Sequence, residues 1–110
     1  MKSTLAPDWR YLLLRAHLTQ PMPTQRFSSE LMRALTWQIG VEGLAQTQAS
    51  VISFDEKTGA LIMRMRRGQE RRLAASMALI SRIAEQPAHF ESMRISGTVS
   101  HLKKKPEKNK

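Results

Sequence analysis

The segment Asp55-Glu56-Lys57-Thr58-Gly59 separates two runs whose side chains alternate with period two, and no other feature restricts the fold as much. Before it, Ala49 to Phe54 reads as a strand with Ile52 and Phe54 on one face and Val51 and Ser53 on the other. After it, Leu61, Met63 and Met65 share one side, while Ile62, Arg64 and Arg66 share the opposite side. Such runs joined by a short turn, with Gly59 free to take a positive φ, specify an antiparallel hairpin. A strand that is aliphatic on one side and arginine-bearing on the other calls for one covered face and one open face. The rest of the chain must therefore supply the cover.

It does so in order. Trp9 to Ala16 is strand-like, with Tyr11 and Leu13 on one face and Leu12, Leu14 and Ala16 on the other. The two prolines of Thr19-Gln20-Pro21-Met22-Pro23-Thr24 make a loop. Ser28 and Ser29 are candidate N-caps for a helix whose buried stripe is Leu31, Ala34, Leu35 and Ile39, ending near Gly40 or Gly43. A second helix is predicted from about Gln69 to Glu85, burying Leu73, Met77, Ile80 and Ile83, with Pro87 as its stop. A last strand covers roughly Phe90 to Val99. The order strand-helix-strand-strand-helix-strand predicts an α+β sandwich of the ferredoxin-like, RRM-like kind: a four-stranded antiparallel sheet with both helices on one face. An N-terminal arm (1–8) would precede the single domain (9–100), and a basic C-terminal tail (101–110) would follow it.

In this arrangement Leu12, Leu14, Ile52, Phe54, Leu61, Met63, Met65, Met93 and Ile95 turn toward the helices. Tyr11, Leu13, Arg15, Val51, Ile62, Arg64, Arg66, Arg94, Ser96 and Thr98 fall on the open face. Charge gives that face a meaning. The chain carries 18 Lys+Arg against 9 Asp+Glu, a formal net charge of +9, and such an excess selects a polyanionic partner. Residues 1–50 contribute +2 of it and residues 51–110 contribute +7, so the basic surface belongs mainly to the second half. The candidate RNA-binding residues are Arg15, Arg64, Arg66, Arg67 and Arg94, with Lys103, Lys104 and Lys105 of the tail. Tyr11, Leu13, Val51 and Ile62 form a candidate protein interface, since an uncovered apolar patch is seldom left bare.

Other chemistry is thinly represented. The chain has no cysteine, which excludes disulfides and thiolate zinc sites. Its longest apolar run, Tyr11-Leu12-Leu13-Leu14, falls far short of the roughly 20 residues of a membrane span. No signal-peptide pattern opens the chain, so an intracellular protein without membrane association is expected. His17, His89 and His101 are scattered, no paired carboxylates stand at a catalytic spacing, and neither a catalytic site nor a metal site is predicted. An RNA-recognition motif of the usual kind stacks bases on strand aromatics, yet the third strand has none and the first offers Tyr11. Thr19-Gln20-Pro21-Met22-Pro23 is no phosphate-cradling loop of the acylphosphatase kind. Arg71 and Arg72 read equally well as the solvated side of a helix, and Met63, Met65 and Met77 as core filler.

Five pieces of the chain occur in the order and near the spacing of a known family. They are Arg10-Tyr11-Leu12, Gly40-Val41-Glu42-Gly43-Leu44-Ala45, Thr58-Gly59, the strand ending in Arg64, Arg66 and Arg67, and Ser96-Gly97-Thr98 followed by a basic segment. Over about residues 9–105 the chain resembles the fifth-Pop family of RNase P/MRP protein subunits, called RNase P protein component two in archaea. The resemblance implies a non-catalytic subunit of the ribonucleoprotein that removes the 5′ leader of precursor tRNA. It implies RNase P RNA and a barrel-shaped RNase P protein subunit as partners, with precursor tRNA the substrate of the complex. It also implies that RNA and Mg²⁺ carry the chemistry, with no cofactor on the protein itself. Eukaryotic members tend to have a long, often acidic C-terminal extension; the short lysine-rich tail here looks archaeal, implying a cytoplasmic rather than nuclear or nucleolar setting. From the apolar patch a homodimer is expected in isolation and a hetero-oligomer with the barrel subunit. Two other classes stay open: a single-stranded-RNA or ribosome-associated binding module, and a small-ligand regulatory domain.

Overall fold

The computed structural model describes residues 8–98. The chain runs through β1 (Trp9–Leu18), α1 (Thr24–Thr47), β2 (Ser50–Phe54), β3 (Ala60–Arg66), α2 (Glu70–Leu79), β4 (Arg82–Ile83) and β5 (Gln86–Ser96). The fold is α+β: a five-stranded sheet in the order β2-β3-β1-β5-β4, every pairing antiparallel. The four strands expected are therefore five. The added strand comes out of the predicted second helix, which stops at Leu79 because Ile80 turns to extended backbone (φ −77, ψ 119). Ile80 and Ile83 are both buried as expected, but from an extended segment and a short hairpin rather than from a helix. Apolar residues three apart fit either geometry. Pro87 is not a helix stop but lies near the start of β5, opposite Arg82 and just ahead of the β1 pairing that begins at Ala88, a position that tolerates proline.

The covered face is as alternation dictates in the centre of the sheet. Leu12, Leu14, Leu61, Met63 and Met65 are buried against Phe27, Leu31 and Leu35 of α1 and Leu73 and Met77 of α2 in one apolar cluster. Phe27 stacks on Phe54 with ring centroids 3.8 Å apart. Strand edges depart from simple alternation because two bulges each insert one residue and shift the phase. In β2 the extra residue is Ile52, so Val51 pairs with Met63 and packs against the core while Ile52 is exposed, the reverse of the predicted assignment. In β5 it is Met93: Ser92 lies opposite Leu14 and Arg94 opposite Leu13, and Met93 is exposed. Ile95 keeps the helix side, opposite Leu12, but lies half exposed there rather than buried.

The first helix is longer at both ends than its caps suggested. It starts at Thr24, not after Ser28 or Ser29, because the Glu56 carboxylate in the β2–β3 turn accepts hydrogen bonds from the Thr24 N–H (2.8 Å) and hydroxyl (3.0 Å). A distant side chain thus serves the orphan donors of the first turn. At Gly40 the backbone breaks (φ 77, ψ 172), and a final segment to Thr47 continues, ending at Gln48 in left-handed conformation. Gly59 also has a positive φ (81), and a Cβ there would stand 2.4 Å from the Ala16 carbonyl oxygen. That close approach lets the turn hydrogen-bond to β1, Ala16 N–H donating to Gly59 C=O at 2.8 Å. Among the described residues no helix is long and apolar enough to cross a membrane.

Candidate nucleic-acid interface

The open face is assembled from alternate positions of β1, β3 and β5, and register decides which side chains meet. Trp9 stands opposite Arg66, Tyr11 opposite Arg64 and Ser96, Leu13 opposite Ile62 and Arg94, and Arg15 opposite Ala60 and Glu91. Directly opposed residues share a face, so Arg15, Arg64, Arg66 and Arg94 lie together on it as predicted. Glu91 is the carboxylate facing them from β5.

Each arginine has its own surroundings. Arg15 is exposed. The Arg64 guanidinium lies 3.9 Å from the centroid of the Trp9 ring, and its Nε is buried without a hydrogen-bond partner. Arg66 is exposed and donates to Gln48 Oε1 at 3.2 Å, which ties the end of β3 to the end of α1. Arg94 is half-buried. Arg67 follows β3 and bridges to Asp8 at 3.0 Å, with both partners well exposed, so the pair is weak and the guanidinium sits beside the strand arginines open to solvent. Lys103, Lys104 and Lys105 lie outside the described residues.

The apolar patch predicted for the same face is smaller than expected. Tyr11 and Leu13 are half-buried there, but Ile62 is 4 % exposed and Val51 points into the helix side. Ile62 lies on a central strand between Leu13 of β1 and Ser53 of β2, and it is buried there without any partner chain. What remains is a basic surface with aliphatic and aromatic patches between its charges.

Two features escaped the sequence reading. Trp9 has the parity of Tyr11 and Leu13, so alternation could have placed it on the open face, but its contact is with Arg64 and not with Arg66, the residue opposite it. His17 and His89 are far apart in sequence yet stack across β1 and β5 with centroids 5.5 Å apart, and His17 Nε2 lies 3.2 Å from Glu91 Oε1. They are neighbours, not scattered residues; only the strand register reveals this. Among the described residues no group of three or more His, Cys, Asp or Glu side chains is placed to hold a metal ion.

Chemically, the face offers cationic donors to phosphate oxygens, with Arg64 held in place by stacking on Trp9. It offers no free pair of aromatic platforms: the Trp9 ring is already occupied on one side.

Comparison with known proteins places this geometry. A model of the Rpp14/Pop5 family matches residues 10–106. The chain is 33% identical over 106 residues to a protein named ribonuclease P protein component 2 from Methanocorpusculum labreanum, covering 93% of this chain and 68% of that one. It is 28% identical over 102 residues to the protein of the same name from Thermococcus gammatolerans, covering 93% and 85%. Among solved structures, a chain in the cryo-EM structure of yeast ribonuclease MRP superposes with a TM-score of 0.66 at 14% identity, covering 87% of this chain and 79% of that one. At that identity the likeness speaks for the fold.

Proposed function

The chain belongs to the Rpp14/Pop5 family, and from that premise we propose that it is a non-catalytic protein subunit of ribonuclease P that binds the catalytic RNA core and holds it in its active shape. The observation that carries the reading is the open sheet face, where Arg15, Arg64, Arg66 and Arg94 gather across three adjacent strands with Glu91 the acid opposed to them. A surface of this kind binds phosphates by charge and fixes their position by geometry. Lys103 to Lys105 of the tail add positive charge in the sequence, and Arg67, whose pairing with Asp8 is solvent-exposed and weak, remains available to phosphate.

In this reading the protein performs no bond cleavage on precursor tRNA. Mg²⁺ belongs to the RNA, and no step of the cleavage runs through the protein's side chains. Its work is to neutralise closely approaching phosphates so that RNA helices can pack, a task for which guanidinium groups are suited by their weak hydration and forked donors. The protein partners are other subunits of the particle, the barrel-shaped subunit among them, and the setting is cytoplasmic. The Arg64 guanidinium over Trp9 weighs against the alternative of a base-stacking single-stranded-RNA module.

The test is capture of the tagged full chain from its native cell, followed by sequencing of bound RNA and an assay for 5′-leader removal. Enrichment of RNase P RNA with cleavage activity, and no cleavage by the RNA-free protein, is expected. Cleavage by RNA-free protein that one point substitution abolishes, or capture of ribosomal RNA alone, would sink the proposal.

A further inference from the structure

His17 and His89 stack on the open face at the end of β1 opposite to Trp9, with ring centroids 5.5 Å apart and an interplanar angle of 28°. Both residues are exposed. Sheet order fixes what lies on each flank of His17, because β1 sits between β3 and β5. His89 of β5 covers one flank of the imidazole. On the β3 side a cleft of about 280 Å³ opens, with His17, Thr19, Gln20, Lys57 and Thr58 among its walls. That volume falls just below the range of pockets for drug-sized ligands, so it has room for one planar ring system and not for a nucleic-acid helix. The His17 side chain is 49 % exposed, and the stack therefore ends in a face that a ligand can reach.

Glu91 identifies the ligand. A carboxylate repels phosphate, yet this one stands opposite Arg15 on the face where the arginines gather. Its Oε1 lies 3.2 Å from His17 Nε2, which holds the carboxylate at the edge of the imidazole pair. An ionised carboxylate accepts hydrogen bonds and donates none, so on a nucleic-acid surface it selects a base edge that offers adjacent donors. Guanine presents N1–H and N2–H side by side on its Watson–Crick edge, a match for two carboxylate oxygens. Adenine and cytosine set an acceptor nitrogen beside their amine, and uracil sets a carbonyl on each side of N3–H; each of these would turn a lone pair toward Glu91. Unpaired RNA bases are recognised by stacking on aromatic rings, histidine included, together with hydrogen bonds to that same edge. Arg15 beside Glu91 and Lys57 on the cleft wall supply cations for the nucleotide's phosphates. Glu56 also lines the cleft, but its carboxylate is engaged by the N–H and hydroxyl of Thr24.

We propose that His17, His89 and Glu91 form a binding site for one unpaired guanine of the RNA: the base stacks on His17, backed by His89, and its N1–H and N2–H donate to Glu91. Arg15 positions the adjoining phosphate and carries no sequence information. The inference rests on the RNA-binding reading of the open face and deepens it, adding one position that reads base identity to a surface that otherwise grips phosphate. Trp9, stacked under Arg64, takes no part.

Fluorescence anisotropy of the full chain at fixed salt tests it, with labelled single-stranded uridine decamers that carry guanine, adenine, cytosine or inosine at one central position. The guanine decamer is expected to bind about tenfold more tightly than the adenine, cytosine and all-uridine decamers. Inosine, which keeps N1–H and lacks the N2 amine, should fall between. Glu91→Gln should bring the guanine-to-adenine ratio to about one, because its amide turns a donor toward the donors of guanine. His17→Ala should reduce the ratio in the same way by removing the platform, whereas Arg15→Ala should weaken all decamers alike and keep it. All three positions are exposed, so circular dichroism should not change; the comparison of bases on the wild type needs no variant at all. Equal binding of every decamer would overturn the guanine site and leave the RNA-binding reading standing, while failure to bind any decamer would overturn both. A guanine preference that survives Glu91→Gln and His17→Ala would place the reading elsewhere and overturn this site.

Discussion

Arg15 and Arg64 share the open face but not their surroundings, and substitution separates the two. Arg15→Ala removes only an exposed charge; it should leave the thermal midpoint unchanged and reduce the log–log salt slope of RNA binding by about 0.7 if the contact is to a single strand. Arg64→Ala should lower the slope similarly and also cost about 0.5–1 kcal/mol of stability, because the stack on Trp9 is lost. Parallel salt titrations and urea melts of the two variants check this; a stability loss with no change of slope would make Arg64 purely structural. Asp55 gives a second prediction at this scale. The backbone N–H groups of Lys57, 2.9 Å away, and of Thr58, at 3.4 Å, donate to its carboxylate and hold its pKa below the ordinary 3.8. A carboxyl group depressed on folding stabilises the protein above its unfolded pKa, and the benefit is lost as pH falls through the lower folded value. Asp55→Asn should therefore flatten the acid limb of the stability curve by modestly lowering the thermal midpoint near neutral pH while leaving it little changed at the lowest pH, as read by thermal midpoints from about pH 7 to pH 2.

At the level of elements, long-range contacts overruled local signals. Helical spacing from Leu73 to Ile83 is satisfied in the sequence, yet α2 ends at Leu79 and the chain turns back as β4. Both isoleucines reach the core, Ile80 from the extended segment after α2 and Ile83 from the hairpin, so burial, not propensity, was what the pattern encoded. Ser28 and Ser29 had the right chemistry for an N-cap and the wrong position, because Glu56 on the far side of the β2–β3 turn does the capping. Glu56→Ala should fray the first turn of α1 and destabilise the protein by about 1 kcal/mol. Hydrogen exchange should show the change at the N-terminal amides of α1 and not at Leu73 or Met77; uniform protection loss would mean that the turn, not the cap, had been damaged. The bulges at Ile52 and Met93 belong to the same lesson: one extra residue puts the two sides of a strand out of phase, so that Val51 and Phe54 face the core together, and no local residue type announces it.

For the whole molecule, the separation of basic sheet face and helix layer has a direct test. Arg71 lies exposed on α2, in the layer that covers the other side of the sheet, so Arg71→Ala should leave the RNA salt slope unchanged while Arg15→Ala lowers it. Equal effects would mean that RNA wraps both layers. The sequence by itself determined the alternation of elements, the hairpin at Asp55–Gly59, the aliphatic face made by Leu12, Leu14, Leu61, Met63 and Met65, the gathering of Arg15, Arg64, Arg66 and Arg94, and the resemblance to the Rpp14/Pop5 family. These are short-range or period-two properties, set by residue type and side-chain direction. Only the tertiary structure decided that Val51 turns inward, that Ile62 is buried on its central strand, that Trp9 lies under Arg64 and that His17 meets His89. Those outcomes depend on strand register and on which helix reaches which end of the sheet, and such pairings between distant segments are chosen by the packing of the whole core.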